Sequence, residues 1–292
     1  MEKVAAVVVT YNRRQLLQQC VEKLKSQTVS LDILIIDNAS TDGTRDIFNE
    51  QDSHVRYYNT SSNLGGAGGF NFGIRKAVES GYEYLWILDD DTMPTATALE
   101  EFLKEDENLD GKYGFLSSKV LWKDDSICTM NIQKVSKWKQ LKSCDSECLI
   151  QYASFVSLFM RAETVRKVGL PYKEFFIWAD DWEYTRRISK KEKCYYMPSS
   201  VVHHWCNSNV GANIITADEE RMNRFKYMYR NDVVMYRQDG FEGWLYLTIR
   251  NIIHKIRIRK DGKNVQQKYK LIDVATKEGK KFYPKIEFPG GK

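Results

Sequence analysis

The 292-residue chain lacks several things that would place it in a special class. It has no apolar run of about 18 residues or more, so no membrane-spanning helix is expected. Its opening, MEKVAAVVVT, passes directly into a short apolar segment with the wrong flanks for a secretory signal, and none is expected. None of its six cysteines (Cys20, Cys128, Cys144, Cys148, Cys194 and Cys206) forms a CxxC pair. Cys144 and Cys148 are spaced CxxxC in a polar segment with no histidine close by, a poor zinc signature, so reduced thiols in a cytosolic protein are expected. There is no internal repeat, no low-complexity segment and no nucleic-acid-binding motif, and nucleic acid is not an expected partner.

What is present is an ordinary globular composition with uneven charge. Residues 221–292 hold 18 Lys+Arg against 7 Asp+Glu, whereas residues 1–220 hold 26 against 32. An acidic front and a basic back point to different partners for the two parts.

Apolar, β-rich runs at 4–9, 31–37, 55–59 and 82–89 read as strands. Helical spacing occupies 14–27, a short helix is expected from Thr44, and residues 70–80 read as a helix after a glycine loop at 63–69. This alternation predicts an α/β fold with a mostly parallel sheet. Ligands of such sheets bind at the carboxyl ends of the strands. The unusual segments TYNR, DNASTD, NLGGAGG and DDD all fall there, which points to a single site. Residues 113–161 suggest mixed sheet, 180–190 a helix and 194–205 an extended segment; from about 217 the chain reads as helical and basic.

LWILDDDTMP (85–94) drives a buried strand into three consecutive carboxylates. Like charges this close resist ionisation, so a metal ion or a basic side chain is expected beside them. Strand alternation sends Asp89 and Asp91 one way and Asp90 the other. Asp89 and Asp91 then suit a hard divalent cation, Mn2+ or Mg2+. A helix cap at Asp91 or Thr92 would explain one carboxylate but not three. NLGGAGGF allows close backbone approach to a ligand ahead of a helix, but its spacing and place after the third strand do not fit a dinucleotide fingerprint. Asp37, at the end of the second strand, suits either a ribose hydroxyl or base N–H, or an Asx-turn.

FFIWADDWEYTRR (175–187) is a second acidic cluster, with Asp180, Asp181 and Glu183 between Trp178 and Trp182. Carboxylates among aromatics have raised pKa values suited to general-base work, and the aromatic faces suit a sugar ring. The same pattern also reads as a capped helix start with Arg186 and Arg187 as charge partners. His203 and His204 are two of only four histidines, and one of them is a candidate further metal ligand. In FEGWLYLTIRNIIHKIRIRK (241–260), Leu245, Ile249, Ile252, Ile253 and Ile256 share one helical face, with Arg250, Arg257, Arg259 and Lys260 elsewhere. Such a helix fits an anionic membrane surface, or the main domain with its basic face in water.

VVVTYNR, IIDNASTDGT, NLGGAGGF, LDDD and FIWADDWEY together resemble the family-two glycosyltransferases of the GT-A fold over roughly residues 4–210. NLGGAGGF and WADDWEY are the narrower motifs; they are similar to those of galactofuranosyltransferases that use UDP-galactofuranose, with rhamnosyltransferases close. The resemblance implies a Rossmann-like catalytic domain over residues 1–215, with a donor half to about 110 and an acceptor half beyond it. Residues 216–292 would form a helical basic extension. Thr10, Asn12, Arg13, Asp37, Asn63, Gly65, Gly66, Asp89 and Asp90 would line the donor pocket. Asp89, Asp91 and a histidine, His204 in preference to His203, would hold Mn2+ or Mg2+. Asp181 would be the general base of an inverting transfer, with Asp180 and Glu183 beside it to hold acceptor hydroxyls and Trp178 and Trp182 against the acceptor. The polymerising members carry large additional domains, so a single-linkage enzyme is expected, acting on a lipid-linked glycan at the inner face of the membrane for capsule, O-antigen or a related polymer. A sugar nucleotidyltransferase would show a glycine-rich phosphate loop where this chain has TYNRR, and a non-catalytic binding module would need neither acidic cluster.

Overall fold

The computed structural model describes residues 3–48, 52–261 and 263–290. The first apolar run is strand β1 (Val4–Thr10), buried throughout. Helix α1 (Arg14–Lys25) turns Leu17, Cys20, Val21 and Leu24 to the core, the stripe read from the sequence. Strands β2 (Asp32–Asp37) and β3 (Val55–Asn59) extend the sheet in parallel on one side of β1, with a single 3-10 turn at Thr44–Ile47 between them. Helix α2 (Gly65–Glu79) leads to β4 (Tyr84–Asp89), parallel to β1 on its other side.

Helix α2 corrects one sequence expectation. The glycines from Gly65 to Gly69 are helical, not a loop preceding a helix at 70. Their spacing explains why. A Cβ on Gly69 would lie 2.6 Å from Val9 Cγ1, and one on Gly73 would lie 2.5 Å from Val7 Cγ1. Bare backbone at these positions lets the helix lie directly on β1 and β2.

Beyond β4, the short β5 (Thr92–Pro94) and helix α3 (Ala98–Asn108) precede a mixed half. It contains β6 (Leu116–Trp122), β7 (Lys134–Ser136), β8 (Lys139–Gln140), β9 (Cys148–Leu149) and β10 (Leu158–Arg161). Helices α4 (Ala162–Val168) and α5 (Asp180–Ser189) and strand β11 (Tyr195–His204) complete it. The main sheet runs β3-β2-β1-β4-β10-β6-β11-β5, with β9 on β11. β10 is antiparallel to both neighbours and β6 is parallel to β11. Alternate residues of β1 face opposite layers: Val7 and Val9 meet α2, while Ala6 and Val8 meet α1 and α3.

Helices α6 (Glu219–Arg237), α7 (Gly240–Asp261) and α8 (Val265–Lys281) follow. They share a small core of Phe225, Tyr229, Ile258, Ile272 and Ala275. The α7 stripe has the reverse orientation to that of a helix packed by its apolar face. Leu245, Ile249, Ile252, Ile253 and Ile256 are exposed, whereas Arg250 turns inward and pairs with buried Asp232 at 2.7 Å. Among the described residues, no helix is long and apolar enough to cross a membrane.

Candidate active site

The first three functional positions come from strand register. Thr10 pairs with Asp37, and Val9 with Asp89, so β1, β2 and β4 end side by side at one edge. The backbone then turns at Asn12 with φ 53°, which few residue types tolerate. Its side chain ties two loops together: Asn12 N–H donates to Ser40 Oγ at 2.8 Å, and Thr41 N–H donates to Asn12 Oδ1 at 2.7 Å.

Strand alternation does not extend over the three aspartates: β4 ends at Asp89, and Asp90 and Asp91 lie in the turn before β5. Asp90 accepts from Thr10 Oγ1 at 2.7 Å. Asp89, Asp91 and His204 bring one ligand atom each within 4.8 Å of one another. Positive charge stands beside them: Arg13 Nη1 reaches Asp91 Oδ2 at 2.6 Å and Asp90 Oδ1 at 3.2 Å. Burial pushes Asp89 up to about 7, with Asp91 adding to the effect. Burial likewise pushes Asp90 up to about 6, against the pull of Arg13. Burial alone would raise Asp91 too, but contact with His204 and Arg13 holds it below the ordinary carboxylate value. Burial alone would pull His204 down, yet contact with Asp91 outweighs it and holds the ring up at about 11.

These residues fit a hard divalent cation. His204 Nε2 lies 3.2 Å from Asp91 Oδ1, but that buried oxygen has no aligned hydrogen bond. Two carboxylates and one imidazole suit Mn2+ or Mg2+ with further ligands from water or phosphate. The other ring nitrogen, Nδ1, is 2.8 Å from Asn131 Oδ1, an acceptor that fixes the ring, so that a cation displacing the Nε2 proton would meet that lone pair. His203 points away: its Nε2 pairs with exposed Asp125 at 2.8 Å, so it takes no part in this group.

The second acidic cluster opens α5. Phe176, Trp178 and Ala179 all have φ between 64° and 67° just before Asp180. Such a run is strained and must be held by its surroundings. Asn231 of α6, fully buried, donates to the carbonyls of Phe175, Ile177 and Trp178. Gly65 meets the same loop, since a Cβ there would lie 2.1 Å from Phe176 O, and Ala67 N–H donates to that oxygen at 3.1 Å. Asp181 Oδ1 accepts the Trp182 N–H at 2.7 Å. Burial pushes Asp181 well above the ordinary carboxylate value, helped by Asp180 and by Asp89. The influence of Asp89 on Asp181 places the two clusters near each other. Burial also raises Asp180, to about 6.

Several candidate residues sit differently from expectation. Glu183 does not reach the site: it is fully buried and bound by Arg187 at 3.0 and 2.9 Å and by Gln238 at 2.6 Å. Arg186 pairs with Asp239, not with the acids of the first turn. Asp37 forms the Asx-turn, with Ser40 N–H and hydroxyl donating to Oδ1 at 2.9 and 2.5 Å and the Tyr57 hydroxyl donating to Oδ2. Asn63 Oδ1 accepts from Gly65 N–H at 2.8 Å and so starts α2, while half-buried Gly66 borders open space. Trp178 packs on Phe225 and Trp182 on Tyr152, so both anchor the helical region with part of each ring still accessible.

Two contributors escaped the sequence reading. Lys134 Nζ lies 3.5 Å above the Trp182 ring, and burial brings it down to about 8 against the pull of Asp232 and Asp181. Asn231 clamps the strained loop. Neither belongs to a motif; each is brought to the site only by tertiary packing.

Residues 5–113 match the family model described as glycosyl transferase family 2. The chain carries a family-two glycosyltransferase domain. It is a glycosyltransferase with the GT-A fold. A galactofuranosyltransferase from Mycolicibacterium smegmatis is 26% identical over 88% of this chain and 93% of its own length. One from Mycobacterium tuberculosis is 27% identical over 90% of this chain and 96% of its own length. Among solved structures, S. aureus TarS 1-349 in complex with UDP has a TM-score of 0.57 at 11% identity, covering 96% of this chain and 72% of that one. The Pyrobaculum calidifontis mannosyltransferase in complex with GDP-Man and Mn2+ has a TM-score of 0.57 at 15% identity, covering 94% of this chain and 73% of that one.

Proposed function

We propose that this glycosyltransferase moves galactofuranose from UDP-galactofuranose to a hydroxyl of a lipid-linked glycan acceptor during bacterial surface polysaccharide synthesis. The observation that carries the transfer reading is the group of Asp89, Asp91 and His204 within 4.8 Å of one another, with the raised carboxyl of Asp181 near enough to feel the Asp89 charge. The choice of donor is supported by the two mycobacterial relatives, which are similar along nearly their whole length.

In this reading Asp181 removes the proton of the acceptor hydroxyl. That oxygen attacks the anomeric carbon from the face opposite the nucleotide, the bond from that carbon to the diphosphate oxygen breaks, and UDP leaves. The configuration inverts. A divalent cation bound by Asp89, Asp91 and His204 would supply a Lewis acid for the leaving diphosphate. Arg13 holds Asp90 and Asp91 in place and lends positive charge at the same edge. Asp180, beside the base, is the remaining carboxylate placed to hold acceptor hydroxyls. Trp182 and Lys134 offer an aromatic face and a cation on the acceptor side.

Membrane contact through the C-terminal helices belongs to the same proposal. Its support is the exposed isoleucine stripe of α7 within a segment of 18 basic and 7 acidic residues. An enzyme so placed works at the inner face of the cell membrane. Residues 1–215 act as the catalytic domain, and 216–292 as an extension that also holds the base loop through Asn231.

The test is a donor panel on synthetic lipid-linked acceptors, with UDP-galactofuranose, UDP-galactopyranose and dTDP-rhamnose each run with Mn2+ and with EDTA. Mn2+-dependent transfer from UDP-galactofuranose alone is the expected result. Transfer only from dTDP-rhamnose would overturn the donor and keep the chemistry.

A further inference from the structure

His204 has two edges, and the proposed transfer uses one of them. The Nδ1 edge faces a different set of atoms. Cys128 Sγ lies 3.8 Å from Nδ1, and the ligand atoms of Cys128, His204 and Cys206 all fall within 4.8 Å of one another. A third sulfur, Met130 Sδ, is 3.7 Å from Cys206 Sγ. All six cysteines are free. A tetrahedral zinc ion with Zn–S near 2.3 Å and Zn–N near 2.1 Å has an S···N edge of roughly 3.6 Å. The Cys128–Nδ1 spacing is close to that edge, and Asn131 Oδ1, 2.8 Å from Nδ1, would have to swing back to make room for the ion or to become a further ligand.

Local packing makes this a built site. His204 ends β11, Cys206 follows it, and Cys128 comes from the loop after β6. Cys128 and His204 are buried, whereas Cys206 is partly exposed and gives a route from solvent. Asn131 Oδ1 now accepts from both Cys128 Sγ at 3.0 Å and His204 Nδ1 at 2.8 Å. Two thiolates and an imidazole attract a borderline-soft ion, whereas the Asp89–Asp91 side attracts a hard one.

We propose that Cys128, Cys206 and His204 Nδ1 form a second cation site, for a thiophilic divalent ion of the zinc class, and that filling it empties the carboxylate site. The second half rests on the proposed hard-cation site; the first half does not. A neutral imidazole has one in-plane lone pair. With a cation on Nε2, the ring proton sits on Nδ1 and bonds to Asn131. With a cation on Nδ1, the proton sits on Nε2 and faces Asp91. Binding at the thiols releases both thiol protons to solvent. Zinc-class ions would therefore switch the enzyme off by exchanging the two edges of one ring.

Co2+ is the probe, titrated into the full chain at neutral pH and read by its thiolate-to-cobalt charge-transfer absorption. The wild type and Asp91→Asn are expected to show the band. Cys206→Ser, at a partly exposed position, is expected to weaken Co2+ binding about tenfold or more and to reduce the band. No band in the wild type overturns the site. A band unchanged in Cys206→Ser but lost in Cys144→Ser or Cys148→Ser also overturns it, by placing the thiolates elsewhere. Free Mn2+ is then followed by electron paramagnetic resonance. One equivalent of Zn2+ should weaken Mn2+ binding about tenfold in the wild type and not in Cys206→Ser. Equal displacement in both means direct competition at the carboxylates and overturns the exclusion. A cobalt band with no Mn2+ binding at all sinks the hard-cation site and leaves the thiolate site standing.

Discussion

Two acidic clusters lie near each other in this molecule, and they are built in opposite ways. The first, Asp89 to Asp91, ends a central strand and is surrounded by cations: Arg13 reaches two of its carboxylates and His204 a third contact. The second, Asp180 and Asp181, opens a helix after a strained loop. Among the described residues neither carboxylate forms an ion pair, and Lys134 is a cation that feels Asp181. The first arrangement keeps Asp91 ionised and leaves a buried oxygen without an aligned partner, the state a metal ligand needs. The second raises Asp181 so that it holds a proton more tightly, the state a base of moderate strength needs. Residue type alone does not separate Asp91 from Asp181; contact with His204 and Arg13 does.

The comparison can be broken by substitution, and the largest effect is expected at the base. Asp181→Asn should lower the transfer rate about 10²–10⁴-fold, the usual contribution of a positioned acid or base. A rate within a few-fold of wild type would remove Asp181 from that role. At the other cluster, His204→Ala should weaken Mn2+ binding about 10–100-fold, read by calorimetry. Unchanged affinity would take the histidine out of the ligand set.

The strained loop gives a third test. Asn231→Ala removes three hydrogen bonds to the loop carbonyls of Phe175, Ile177 and Trp178 and should cost about 2–3 kcal/mol in denaturant unfolding, with transfer reduced alongside. A neutral effect would mean that α6 does not hold the base in place.

A smaller effect is expected in pH dependence. Asp89, Asp90 and Asp180 are raised to about 7, 6 and 6. Between the ordinary value of 3.8 and about 7 the folded protein therefore binds more protons than the unfolded chain. Stability then falls as pH rises through this window. The metal-free protein should show a lower Tm at pH 7 than at pH 5, and Mn2+ should raise Tm more at pH 7. A metal-free Tm that climbs from pH 5 to pH 7 would contradict these burial effects. Smallest is Lys134→Met: it removes a cation felt at Asp181, so the acid limb of the transfer rate should move to higher pH.

The donor side was far more legible in sequence than the acceptor side, for physical reasons. β3 spans Val55–Asn59, as read, and the strand ends Thr10, Asp37 and Asp89 meet because parallel strands with short loops must end on one edge. Alternation was the wrong ground for pairing Asp89 with Asp91, because the strand ends at Asp89 and the turn that follows sets the directions of Asp90 and Asp91, both of which meet Arg13. The glycine helix was misread as a loop because glycine disfavours helices in isolation, and only contact with Val7 and Val9 gives those positions their purpose. Glu183 looked equivalent to Asp181 in WADDWEY. Helical rotation separates them, turning Glu183 inward to Arg187 and Gln238, and Gln238 lies 55 residues away in sequence. Lys134 and Asn231 gave no signal because their roles exist only once distant elements pack. The apolar stripe of α7 was visible as a pattern, but its outward direction depended on the buried Arg250–Asp232 pair.

The most direct measurement is UDP binding with and without Mn2+, by calorimetry, on Asp181→Asn and His204→Ala side by side. If one cluster holds the cation and the other the proton, Asp181→Asn will bind UDP with Mn2+ as the wild type does while transferring no sugar, and His204→Ala will lose the Mn2+-dependent part of UDP binding. Equal loss of binding in both variants, or loss in Asp181→Asn alone, would contradict that division.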